Sequence, residues 1–118
     1  MIVRCTSTKD TPSVDNSTAS DWLRIGSCYT VFGIFISPRL GVLYRILGEY
    51  DRTPILLPSV LFEIIDSQIS EEWSIVSLGR NELSIGPVAT NNPGFWELYY
   101  DDDLTAIEIF AGIVANTK

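Results

Sequence analysis

The side chains in this chain that could carry acid–base or metal chemistry are almost all carboxylates. Three groups of them stand out: Glu63 with Asp66, Glu71 with Glu72, and the unbroken run Asp101-Asp102-Asp103. Paired carboxylates divide acid and base roles in glycoside hydrolysis, so the first two groups define the one enzymatic reading these residue types allow, a small carboxylate-dependent hydrolase. Such a pair needs burial to perturb it, and Glu71 and Glu72 instead precede Trp73 in a polar stretch where charges stay solvated. Histidine is absent from all 118 residues, which removes Ser-His-Asp and Cys-His nucleophile activation and the commonest transition-metal ligand. Cys5 and Cys28 lack zinc-site spacing, and neither G-x-G-x-x-G nor a phosphate loop occurs. The two lysines, Lys9 and Lys118, stand in a polar arm and at the end of the chain, poor places for a buried Schiff-base amine. The expectation is no catalysis, no metal and no cofactor.

The aspartate run closes the stretch Trp96-Glu97-Leu98-Tyr99-Tyr100-Asp101-Asp102-Asp103-Leu104. A calcium loop alternates its ligands around a glycine and closes on a glutamate, which three adjacent carboxylates do not do. Two readings remain. Carboxylates before a helix satisfy its free N–H groups and its positive dipole end, and one of the three suffices as a cap; Thr105 with Glu108 matches a capping box if the helix starts a turn later. Alternatively, surplus charge beside Trp96 and Tyr100 has the composition of an interface, in which aromatic anchors carry energy and acidic groups steer a partner. The candidate partner-binding set is Trp96, Glu97, Tyr100, Asp101, Asp102 and Asp103, with Glu71 and Glu72 as further charges.

Charge along the chain bears on that partner. Net charge is −7, but residues 1 to 59 sum to +1 and residues 60 to 118 to −8. An acidic C-terminal half fits a cationic partner and would repel phosphates, so direct nucleic-acid binding is not expected. Met1-Ile2-Val3-Arg4 runs straight into polar residues without the apolar core of a signal peptide, and the apolar run around Val31 to Ile36 is far short of the roughly 20 residues of a membrane span. A cytoplasmic protein with two reduced, at least partly buried thiols and no membrane partner is the expectation.

The elements that must position these residues can be read in order. Hydrophobic content of 46% supports one domain across 1–118. A first strand at Ile2 to Cys5 leads into a Ser/Thr-rich stretch, residues 6–20, too polar to offset its ordering entropy and expected to be a mobile loop. Ser27 to Ile36 and Val42 to Leu47, joined by Pro38-Arg39-Leu40-Gly41, predict a hairpin. A turn over Gly48 to Arg52 precedes a strand at Thr53 to Leu57, which Pro54 assigns to an edge or a strand start. Ser59 to Asp66 reads as a helical turn with a serine cap, turning Leu61 and Phe62 inward, then an extended piece. Trp73 to Leu78 and Leu83 to Ile85 pair through Gly79-Arg80-Asn81. Asn92-Pro93 predicts a short helix over Pro93 to Tyr99 capped by Asn92, and the apolar stripe Leu104, Ile107, Phe110, Ala111, Val114 predicts a helix over Leu104 to Ala115. Strands first and helices last make the class α+β: a small twisted antiparallel sheet or partly open SH3-like barrel with C-terminal helices.

Tyr29-Thr30-Val31-Phe32-Gly33-Ile34, Leu43-Tyr44-Arg45-Ile46, Pro54 to Asp66, Glu72-Trp73 and Tyr99 to Leu104, covering about two-thirds of the chain, resemble small acidic bacterial proteins encoded beside polymorphic toxins, among them immunity proteins of contact-dependent growth inhibition systems. That resemblance implies an inhibitor of one cognate toxin domain, blocking its active site or substrate groove; many such toxins are nucleases with basic grooves. The resemblance rests on hydrophobic pattern and turns, and this chain departs from it in its longer Ser/Thr-rich arm. An SH3-like scaffold module using the same aromatic and acidic surface is the competing reading. Oligomeric state is left open by the sequence.

Overall fold

The computed structural model describes residues 1–8, 23–47 and 53–117. Seven strands form an open antiparallel sheet, followed by two helices, an α+β fold as expected. The strands are β1 (Ile2–Cys5), β2 (Cys28–Ser37), β3 (Gly41–Leu47), β4 (Pro54–Pro58), β5 (Phe62–Asp66), β6 (Trp73–Gly79) and β7 (Glu82–Pro87); the helices are α1 (Phe95–Tyr100) and α2 (Leu104–Thr117).

The long strand β2 organises the sheet. One edge pairs with β3, and β3 with β4. The other edge is shared: β1 takes Cys28 to Thr30, and β7 takes Ile34 to Ile36. Between those partners, Val31 faces Ile46 and Gly33 faces Arg45, so Phe32 is an extra residue with no partner on β3. Such a bulge bends the strand and re-aims a side chain. Here it separates two cores. Tyr29 and Val31 join Val3, Cys5, Tyr44, Ile46, Leu57 and Leu61 on one side, while Phe32 joins Phe95, Ala106 and Phe110 on the helical side. Alternation along β3 carries this on, because Tyr44 and Ile46 belong to the first core whereas Arg45 and Leu47 lie against the helices.

The edge strands β4 and β5 are joined by a single 3₁₀ turn, Ser59–Leu61, which curls the sheet and buries Leu57 and Leu61 inside it. Pro54 opens β4 at the edge, where a missing N–H costs nothing. The serine cap expected at Ser59 is not formed: Pro58 holds the cap position, with no side-chain hydrogen bond, while Leu61 is buried and Phe62 half-buried as expected. Arg80 and Asn81 both have positive φ, 55° and 62°, the signature of a type I′ hairpin turn whose twist suits β6 and β7.

Both cysteines are free thiols. Cys5 is buried, and burial pushes its thiol up despite a hydrogen bond to the Ser7 carbonyl. Cys28 is exposed, against expectation, because it sits opposite the exposed Arg4 at the solvent side of the β1–β2 ladder. The loop expected over 6–20 lies outside the described residues beyond Thr8, as does the turn over 48–52. Among the described residues no helix is long and apolar enough to cross a membrane.

Candidate functional site

The short helix α1 begins later than the sequence suggests. Asn92 does not cap it; its amide donates to the Val88 and Ala89 carbonyls, and Gly94 holds the cap position in the left-handed region at φ 85°. Glycine adopts that conformation without the Cβ penalty, so the Pro93-Gly94 pair forms a turn before the helix starts.

From this start α1 directs Phe95 and Trp96 inward. Trp96 packs edge-on against Phe95, Tyr99 and Phe110, with centroids 5.0 to 5.4 Å apart. On the sheet side the Arg45 guanidinium lies 4.0 Å from the centroid of the indole ring, a cation–π contact that fastens helix to sheet. Arg45 Nη1 also donates to Tyr100 Oη at 3.0 Å, and that hydroxyl donates onward to the Pro54 carbonyl. Burial lowers the pKa of Arg45, while the Tyr100 hydroxyl and the Glu97 carboxylate support its cation. Burial likewise raises the pKa of Tyr100, partly offset by Arg45. Trp96 and Tyr100 are therefore anchored within the molecule, through Arg45, although Tyr100 keeps 47% of its surface exposed.

The three aspartates have three different placements. Asp101 is the C-cap residue of α1. Asp102 has φ 63°, its N–H meets the Tyr99 carbonyl, and the N–H of Asp103 meets the Leu98 carbonyl. Those two bonds, around a left-handed residue, make a Schellman motif with aspartate where glycine is usual. Asp103 then caps α2, its Oδ2 accepting from the N–H of Ala106 at 3.0 Å. The capping box considered for Thr105 and Glu108 is not used, since the helix already starts at Leu104. One carboxylate thus has a structural bond. The carboxylates of Asp101 and Asp102 are exposed and have no ion-pair or hydrogen-bond partner among the described residues, and exposed Leu98 and Leu104 lie to either side in sequence.

The remaining candidate carboxylates do not converge. Glu63 forms a cross-strand ion pair with Arg4, its register partner on β1, and Asp66 Oδ1 accepts from the N–H of Gln68. Glu71 and Glu72 are exposed in the turn before β6. Glu72 lines an open cleft of about 290 Å³ with Met1, Phe32, Trp73 and Ile113, whereas Tyr100 and Asp102 line a separate one of about 160 Å³ with Thr53, Tyr99 and Ile107. Among the described residues no group of three His, Cys, Asp or Glu is arranged to hold a metal ion.

The chain matches no family model, no curated protein and no solved structure.

Two residues central to this region were not singled out by the sequence. Arg45 is a lone cation inside the apolar strand GVLYRIL, and that isolation is the signal that it needs a partner. Asn91 is buried, with its amide donating to the Ser74 carbonyl, Ser74 Oγ and the Ser84 carbonyl while it accepts from Ser84 Oγ. It ties β6 and β7 to the segment that leads into α1, and nothing in the pattern TNNPG distinguishes it from Asn92.

Proposed function

We propose that this chain is a cytoplasmic immunity protein that binds a basic toxin domain of nuclease type and occludes its active site or substrate groove. The observation that carries this reading is the helix corner. Asp101 and Asp102 hold two carboxylates beyond the one that caps α2, free of cations among the described residues and flanked by exposed Leu98 and Leu104. A carboxylate at the end of α1 faces the negative end of that helix, so Asp101 is not placed there to stabilise it. Acidic groups around apolar anchors suit a basic groove that normally receives phosphates: opposite charge speeds encounter, and the leucines slow release once docked. The net charge of −8 over residues 60 to 118 extends the same field.

The test is co-expression with the product of the neighbouring reading frame. Expressed alone, that product should arrest growth; with this chain present growth should recover, and the two should purify as a complex that dissociates more readily as salt rises. A toxic neighbour that this chain neither relieves nor binds rejects the reading.

A further inference from the structure

Among the described residues the open sheet has three edge strands, and each ends it differently. β4 begins and ends with proline, Pro54 and Pro58, which offer no N–H to a new strand. β5 carries Glu63 and Asp66, so two copies laid together there would bring carboxylates face to face. β6 has the sequence WSIVSLG, with neither charge nor proline, and pairs with β7 alone. Its single register irregularity falls at the far end, between Ser77 and Gly79. Ile75, in its middle, is 68% exposed. Sheet edges are ordinarily guarded by charge, proline, a bulge or a covering loop, and over Trp73 to Ser77 β6 has none of these among the described residues.

An unpaired strand edge is complementary to one kind of object, another strand. The side chains of β6 offer nothing that would select a basic partner, which the charge distribution directs to the carboxylates instead. For a second copy of this chain the case is reversed. A net charge of −7 opposes self-contact over the surface in general, and β6 is the edge where that opposition is missing and hydrogen bonding is available.

We propose that two copies of this chain associate through β6, antiparallel, about a two-fold axis at Val76. That axis sets Val76 opposite its own copy and Ile75 opposite Ser77 of the second copy, uncharged pairs throughout. The aliphatic row in which Ile75 meets Ile85 and Ile85 meets Ile34 ends at this seam against Ser77 of the second copy. A seam of one strand per copy buries less than the roughly 1,200 Å² of the smallest standard stable interfaces, so the dimer is reversible, with Kd on the order of 10 to 100 μM.

Sedimentation velocity of the full chain between roughly 1 μM and 1 mM, a span that brackets this Kd, tests the proposal without any toxin present, and so stands apart from the immunity reading. The average mass should rise from monomer toward dimer. In Ile75→Lys, a change at an exposed position, the midpoint should move at least about ten-fold higher, since two lysines would then crowd the seam. Hydrogen exchange in the unmodified chain should slow with concentration at amides within 73–79 and not within 62–66. A monomer throughout, with exchange in β6 independent of concentration, overturns the proposal. So does a dimer that Ile75→Lys leaves intact and whose protection maps outside β6.

Discussion

Trp96 to Tyr100 and Asp101 to Asp103 are consecutive in sequence yet are held in opposite ways. The aromatic half is bound inward: Trp96 touches four rings and a guanidinium, and Tyr100 reaches across to the carbonyl of Pro54. The acidic half is bound by its backbone, through a Schellman turn, and only Asp103 commits its side chain. Composition alone suggested one mixed patch of rings and charges. The difference teaches that an aromatic beside a carboxylate need not share its role: here the rings position the corner, and the corner presents the charge.

The sharpest way to break that comparison is to truncate one residue from each half. Trp96→Ala should cost about 3 kcal/mol, at the low end for a core tryptophan because the ring is only half-buried, whereas Asp101→Ala should stay within about 0.5 kcal/mol. Urea unfolding of both variants measures it, and equal losses would erase the distinction. A smaller effect separates the aspartates from one another. Asp103→Ala should lose about 1 kcal/mol and Asp103→Asn almost nothing, since asparagine also caps. At Asp102 the requirement is for backbone conformation: Asp102→Gly should be neutral or stabilising, and Asp102→Val should cost on the order of 1 to 2 kcal/mol at φ 63°.

The smallest expected effect is on pH dependence. Burial raises the pKa of Tyr44 in the first core and of Tyr100 at the helix corner. A group whose folded pKa exceeds its unfolded value of about 10 contributes stability below that value and loses it as pH rises through the folded pKa. Melting temperature should therefore fall above about pH 10. Tyr44→Phe should flatten the fall, relative to its own value at neutral pH, more than Tyr100→Phe, whose ring is half in solvent and whose anion Arg45 would partly stabilise.

Much of the fold was legible because strands and the last helix announce themselves by period. The hairpin of β2 and β3, Pro54 at the sheet edge, the turn at Gly79-Arg80-Asn81 and the stripe of α2 all follow from local chemistry. What was not legible depends on contacts distant in sequence. The bulge at Phe32 is set by two different strands competing for one edge of β2, and no residue in Tyr29 to Ile34 marks it. The start of α1 was misplaced because Asn92 and Pro93 have the right types for a cap and first turn, yet the left-handed Gly94 follows them. Counting aspartates showed that three exceed what a cap needs, but only the backbone shows that Asp103 is the cap and Asp102 the left-handed residue. The strand pattern Leu43-Tyr44-Arg45-Ile46 does not reveal the role of Arg45, because its partners Trp96 and Tyr100 lie on a helix far along the chain.

The measurement that bears most directly on the proposed function is the association rate of the Asp101→Asn, Asp102→Asn double variant with the product of the neighbouring reading frame, across a range of ionic strength. Asparagine tolerates the left-handed position of Asp102, so fold and melting temperature should be unchanged while two charges are removed. If these carboxylates steer docking, association should slow several-fold at low salt and converge with that of the unmodified chain at high salt, with dissociation little affected. Association rates that coincide at every ionic strength would mean that Asp101 and Asp102 do no more than join two helices.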